Sequence, residues 1–268
     1  MKRTQLSLII LGIIALGSCT QTAKQAQTEA APSGQKDYFQ LKIYHVGTPE
    51  QATLLDGYFQ DALLPALHRT GIEHVGVFKP IEGLNEQTDI MMVLIPFKSL
   101  EEFEKLPARL LDDQEYQQAG KDYIEAPFDN PSYARIESII LRSFSAEPHL
   151  MLPELSSPRS GRVYELRSYE SATEKLHQLK VEMFNEGESA IFHELNFNPV
   201  FFGDVLSSSY MPHLMYMTAH ADTAAQKANW NAFGVHPDWE RMRDMPRYQN
   251  TVSKITVYLL YPTEYSDY

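Results

Sequence analysis

Two short segments of the chain carry a cation and a tyrosine at the same spacing: Lys42 and Tyr44 in LKIYH, Arg167 and Tyr169 in LRSYE. Residues two apart on an extended strand share a face, so each pair sets one positive charge beside one phenol. That combination suits an anionic or carbonyl oxygen, which the cation would attract and the hydroxyl would hydrogen-bond. A guanidinium taken out of water without a partner is costly. Arg167 therefore needs either a ligand or a protein carboxylate, and Glu165, two residues earlier on the same face, is the carboxylate at hand. Lys42, Tyr44, Glu165, Arg167 and Tyr169 are the first candidate ligand-binding residues.

The second cluster is His236-Pro237-Asp238-Trp239, at an expected helix break where a side chain can be aimed into a pocket. His236 is the candidate catalytic residue, a general base with an ordinary pKa of ~6.5, and Trp239 a candidate binding surface. The alternative is a turn in which Asp238 caps the next helical turn and Trp239 only packs. No metal site is expected. The nine histidines form no HxH or HExxH, His193-Glu194 lacks a second histidine, and His213 and His220 fall on opposite faces of one strand. No phosphate loop, GxSxG elbow or CxxC appears. A formal charge of −12 argues against a nucleic-acid partner.

The elements that must position these residues come twice. Aligned from Phe39 and Tyr164, the chain matches itself at one offset through Leu41/Leu166, Lys42/Arg167, Tyr44/Tyr169, Thr48/Thr173, Leu54/Leu179, Phe59/Phe184 and Val75/Val200. With small deletions it continues through Met91/Met215, Ser99/Thr223 and Tyr116/Trp239. In the second copy, Val163 to Tyr169 alternates as a strand. Ser171 with Glu174 is a capping-box signal for a helix whose apolar stripe is Leu176, Leu179, Met183, Gly187, Ala190 and Ile191. Val200 to Val205 and His213 to Ala219 are β-like, a second helix starts near Asp222 or Thr223 and breaks around Gly234 and Pro237, and Ile255 to Tyr261 is a last strand. The first copy repeats the order, with Thr48-Pro49 opening one helix and Ser99 with Glu102 capping the other. The expected fold is α+β, two tandem ferredoxin-like βαββαβ units at 37–148 and 160–268 joined by a Pro- and Ser-rich linker at 149–159.

The second copy, with VYELRSYE, NPVFFGDV, PHLMYMTAHAD, HPDWERM and YLLYP in order, resembles a NIPSNAP domain; the first copy is a degenerate version with DDQEYQQ in place of VHPDWER. The resemblance implies sheets paired in a dimeric α/β barrel type of arrangement, either between the two units or in a homodimer. If Leu41 and Leu166 face the helices, then Lys42, Tyr44, Arg167 and Tyr169 point into the interior between the paired sheets. His236 matches the family pattern whereas the first copy has Asp113 and Tyr116, which confines histidine chemistry to the second unit. Related barrels hold haem, for which Met211, Met215 or Met217 could join a histidine, but methionines at strand spacing read as core. No cofactor is expected. Three functions follow: a binder of a small, mostly apolar ligand with an oxygen facing Arg167; a cofactor-independent monooxygenase or isomerase using His236 or Tyr169; and a ligand-free interaction protein. An internal cavity lined by Arg167 and Tyr169 would separate the first two from the third, and a packed interior would leave only the third.

The amino terminus carries an address. Lys2 and Arg3 precede an apolar run from Leu6 to Leu16, too short for a lasting span and typical of a signal peptide over 1–18. Leu16-Gly17-Ser18-Cys19 resembles a bacterial lipobox, which would make Cys19, the single cysteine, a lipidated first residue. The polar stretch 19–36 reads as a tether. The expectation is an exported envelope protein, membrane-anchored through Cys19, facing the periplasm or the surface.

Overall fold

The computed structural model describes residues 34–268. The leader, Cys19 and the tether up to residue 33 lie outside the described residues, and no helix among the described ones is long and apolar enough to cross a membrane.

The first unit runs β1 (Tyr38–His45), α1 (Pro49–Tyr58), a wide helical turn (Phe59–Leu63), α2 (Leu64–Arg69), β2 (Gly76–Pro80), β3 (Ile90–Phe97), α3 (Leu100–Asp112), α4 (Gln114–Ala119), α5 (Lys121–Ile124) and β4 (Arg135–Ser143). The second repeats it: β5 (Val163–Glu170), α6 (Glu174–Met183), a wide turn (Phe184–Glu188), α7 (Ser189–Glu194), β6 (Pro199–Ser207), β7 (His213–His220), α8 (Thr223–Gly234), α9 (Pro237–Arg243) and β8 (Lys254–Pro262). Hydroxyl and carboxylate caps start α1, α3, α4, α6 and α8. Thr48, with Pro49 behind it, caps α1, and Ser99 accepts from the Glu102 amide to open α3. The α6 cap is Thr173 rather than Ser171, whose hydroxyl instead donates to the Thr251 carbonyl at 2.7 Å. The α8 cap is Asp222.

All strand pairs are antiparallel, and they close into an eight-stranded barrel in the order β1-β3-β2-β8-β5-β7-β6-β4. Each unit contributes a ferredoxin-like four-strand sheet, and the β2–β8 and β4–β6 seams join the two within one chain. Register corrects the repeat. Ile43 pairs with Met92 and Ser168 with Met215, so Met215 corresponds to Met92 rather than Met91, and Ser99 corresponds to Asp222 rather than Thr223. The alignment of Tyr116 with Trp239 keeps the same spacing as these corrected pairs.

The barrel interior is packed. Phe39, Leu41 and Ile43 of β1 point into it with Tyr164 and Leu166 of β5, Met92 and Leu94 of β3, and Met215 and Met217 of β7. Phe39 meets Phe201 at 5.1 Å between ring centroids, and Tyr268 lies against Phe78 and Tyr164. The helices cover the outer face, where Tyr44, Val93 and Ile95 pack under the first unit's helices and Tyr169, Phe202 and Tyr216 under the second's. This inverts the expected facing: Leu41 and Leu166 enter the barrel, and Lys42, Tyr44, Arg167 and Tyr169 lie beneath the helices. The reason is solvation. A closed barrel offers a guanidinium no route to water, whereas a gap between sheet and helices does. Segment 149–159 is tied down by Leu150 and Leu155, which pack against the interior cluster, while the Met151 amide donates to the Val200 carbonyl.

Candidate functional site

The gap over the second unit is a cleft of about 710 Å³ between β5 and the helices. Arg167 and Tyr169 form its floor, Lys180, Met183 and Glu188 one wall, and Trp230, Phe233 and Trp239 the other. Register makes this inevitable: Arg167 and Tyr169 sit two apart on β5 with outward parity, directly under α6 and α8.

Arg167 is held from behind. Its Nε donates to Glu165 Oε1 at 2.6 Å, and its guanidinium carbon lies 3.8 Å from the centroid of the Trp230 ring. The other Glu165 oxygen accepts from Trp230 Nε1 at 2.6 Å and from Gln226 Nε2 at 2.8 Å. One wholly buried carboxylate thus fixes both the cation and the indole it stacks on. Arg167 Nη1 donates to the Tyr169 hydroxyl at 3.3 Å, and that hydroxyl shares a hydrogen bond with Tyr216 at 2.8 Å. Nη2 has no protein partner among the described residues, and the side chain is 18% exposed, toward the cleft. Burial opposes the charge on Arg167, but the buried Glu165 carboxylate and the hydrogen-bonded Tyr169 hydroxyl offset it, and the guanidinium stays protonated.

Lys180 and Glu188 form a second buried pair, Nζ to Oε2 at 2.6 Å. Lys180 Nζ also lies 5.4 Å from the Trp239 ring centroid and 4.8 Å from that of Phe184. Burial pushes the Glu188 carboxyl up, against the pull of Lys180 and Arg167. The charged wall exists because the α6–α7 helix presents a different stripe from the expected one. Its buried face runs through His177, Lys180, Phe184, Glu188 and Ile191, while Ala190 is exposed. The wide turn at Phe184–Glu188 shifts the phase between α6 and α7.

The expected residues divide. Arg167, Tyr169 and Trp239 share the cleft, and Glu165 supports it from beneath. His236 does not line it: it caps α9, with Nδ1 accepting from the Asp238 amide at 3.3 Å and Nε2 3.4 Å from Glu194. The expected turn is real, but His236 rather than Asp238 makes the cap, and Trp239 both packs on Phe233 and lines the cleft. Lys42 lies at the corresponding place in the first unit, whereas Tyr44 is sealed among Phe59, Tyr123 and Tyr133. His213 and His220 take opposite faces of β7, as parity requires; Met215 and Met217 fill the barrel interior and Met211 is exposed. Sequence reasoning missed Lys180, Glu188 and Trp230. The repeat itself held the signal for the first two, because Lys180 and Glu188 align with Leu55 and Leu63.

A single-chain barrel of two ferredoxin-like units, each with helices on its outer face, places the protein in the dimeric α/β barrel class. Within that class, residues 164–267 match the NIPSNAP family model. No curated protein matches the chain. Among solved structures, it is similar to a candidate monooxygenase of Fusobacterium nucleatum at 7% identity and TM-score 0.56, covering 85% of this chain and 93% of that one. It is also similar to a candidate monooxygenase of Lactobacillus acidophilus at 8% identity and TM-score 0.53, over 85% and 94%. A NIPSNAP family protein of Agrobacterium tumefaciens aligns with 40% of this chain over 90% of its own length, at 16% identity and TM-score 0.34.

Proposed function

We propose that the second unit binds a small, flat, largely apolar molecule through an anionic or carbonyl oxygen set against Arg167. The observation that carries this reading is the guanidinium itself. Glu165 and Trp230 fix its orientation, yet Nη2 has no protein partner among the described residues and the side chain lines the cleft. The aromatic walls supply the apolar contact, and the volume falls within the ~300–1,000 Å³ of small-molecule sites. The interior is packed, which by the cavity criterion would leave only the interaction-protein reading; that criterion held for Arg167 and Tyr169 facing the interior, and because they line the sheet–helix cleft instead, the ligand site proposed is that cleft.

The chain's two tryptophans, Trp230 and Trp239, both line this cleft, so intrinsic emission reports on it directly. Quenching by 4-nitrobenzoate is expected to saturate at lower concentration than quenching by neutral nitrobenzene. In Arg167→Met this preference should fall by about tenfold, the loss of one charge-assisted contact. An unchanged preference would overturn the assignment.

One observation favours an enzymatic reading of the same cleft. Glu188, whose carboxyl burial pushes up against the pull of Lys180 and Arg167, lines the ligand space next to Arg167 and is the carboxylate placed for proton transfer there, whereas His236 lies outside the cleft. Cofactor-independent monooxygenase or isomerase chemistry would then centre on Glu188. Turnover of a bound molecule by the wild type but not by Glu188→Gln would establish it.

We further place the chain in the cell envelope, held at a membrane through lipidated Cys19, on the strength of the leader sequence. Intact mass of the membrane-extracted protein is expected to show a chain starting at Cys19 with acyl groups attached. An unmodified Cys19 would sink that placement.

A further inference from the structure

The first unit has its own cleft of about 420 Å³ in the corresponding position between β1 and the helices. Four lining positions correspond between the two clefts: Lys42 stands where Arg167 does, Tyr58 where Met183 does, Leu63 where Glu188 does and Tyr116 where Trp239 does, whereas Tyr44 and Leu55, the counterparts of Tyr169 and Lys180, do not line the first cleft. The chemistry differs. Where the second unit has an ion pair and a guanidinium with its own carboxylate, the first has leucines and one ammonium. Gln40 occupies the place of Glu165 and turns its amide to Ser138 at 2.8 Å, so nothing replaces the carboxylate under the cation. Among the described residues, Lys42 has no ion-pair or hydrogen-bond partner, and its Nζ lies 5.2 Å from the centroid of the Tyr44 ring.

We propose that this cleft is a second, separate binding site, for an aliphatic monocarboxylate whose head pairs with the Lys42 ammonium while its chain lies among Leu106, Leu110, Ile124 and Phe103. The class follows from the donor set. A single compact cation with rotatable N–H donors pairs with one carboxylate; aliphatic side chains are the largest share of the remaining lining, beside the rings of Phe103, Tyr58, Tyr116 and Tyr123 and the amides of Gln40 and Gln117, with Tyr58 and Tyr123 stacked at 3.7 Å. Tyr58 and Tyr116 share a hydrogen bond of 2.8 Å, so their hydroxyls are largely committed to each other. An ammonium in such surroundings is held in an unfavourable state that a bound carboxylate would relieve. Burial alone pulls Lys42 down to about 8, which leaves it mostly charged at neutral pH and agrees with the absence of a protein partner.

The inference stands apart from the Arg167 reading, and the experiment separates them. Titration calorimetry of the full chain with sodium decanoate is expected to show saturable binding. In Lys42→Met it should weaken tenfold or more, while decan-1-ol binding is retained and shows that the cleft still forms. Arg167→Met should bind decanoate like the wild type. Decanoate binding unchanged in Lys42→Met, abolished in Arg167→Met, or absent from the wild type would overturn the proposal.

Discussion

Lys180 and Glu188 meet inside the protein at 2.6 Å, and the corresponding positions of the first unit, Leu55 and Leu63, are both buried leucines. The same helix on the same kind of sheet is therefore packed with a leucine pair in one unit and an ion pair in the other. The fold does not require the charges, since apolar replacement of a buried pair is often neutral or stabilising.

Breaking the pair on one side should be costly. Lys180→Met leaves Glu188 buried and unpaired and is expected to lose about 3–5 kcal/mol in urea denaturation. The double variant Lys180→Leu, Glu188→Leu, which reproduces the first unit, should recover most of that loss while weakening the cleft's hold on an anionic probe. A double variant as unstable as the single one would make the pair structural.

Acid should destabilise the chain through two buried histidines. His213 lies between the hydroxyls of Ser168 and Ser208, and His220 between Thr218 and Asn229. Burial lowers each to about 4, with Glu170 opposing and His177 adding to the shift at His213, and Glu165 opposing and Arg167 adding at His220. Unfolded histidine protonates near 6.5, so between pH 6.5 and 4 the unfolded state binds more protons and stability falls as pH drops. Each shift corresponds to roughly 3 kcal/mol across the window. Glu188, whose pKa burial raises, works in the opposite direction. Urea midpoints between pH 7 and 4 should therefore lose slope in His213→Asn and in His220→Asn. Slopes equal to the wild type would remove the histidines from the account.

The order of elements was legible because caps and turns are local: Thr48-Pro49, Ser99 and the His236-Pro237 break all mark helix ends where they were expected. Facing was not legible. β1 and β5 are buried on both sides, so alternation of Leu41 with Lys42 says that two faces exist but not which one enters the barrel. Placing the leucines under the helices sent Lys42 and Arg167 into the interior, and the solvation argument runs the other way once the barrel is closed. The phase of the helix departs from the expected stripe already in α6, where Leu176 and Leu179 are half-buried and His177 and Lys180 take the buried face, and the wide turn at Phe184–Glu188 then shifts the phase of α7. Repeat comparison was the stronger tool, since charges standing where the sister copy has leucines need no geometry to be noticed.

The barrel interior depends on a close approach at Gly76. A Cβ there would come within 2.4 Å of the rings of both Phe78 and Tyr268, so the absence of a side chain makes room for Tyr268 against Phe78 and Tyr164. Tyr268→Ala is expected to cost about 3–5 kcal/mol, as for other buried aromatic truncations. Gly76→Ala should also destabilise. Because the two positions contend for one space, the double variant should cost less than the sum. Thermal denaturation of the four proteins measures the coupling, and strict additivity would mean Tyr268 does not occupy that space in solution.

Lys42 makes the final prediction, and its sign distinguishes a strained ligand group from a structural one. Its folded pKa of about 8 lies below the 10.5 of the unfolded chain, so above pH 8 the unfolded state holds the extra proton and stability should rise with pH. The groups around the amine are phenols, Tyr44, Tyr58, Tyr116 and Tyr123, all with pKa values raised by burial; their ionisation in the unfolded chain at about pH 10 opposes the rise, so it is the difference between the wild type and a Lys42 variant that isolates the amine. Lys42→Met should be more stable than the wild type at pH 7, by about 1–3 kcal/mol given the partial exposure of the side chain. The difference should shrink toward pH 9.5. Urea denaturation of both proteins at several pH values decides the matter. A stabilised Lys42→Met variant that has also lost decanoate would show an amine kept at a cost to stability for the sake of its ligand, whereas a destabilised one would show that Lys42 serves packing.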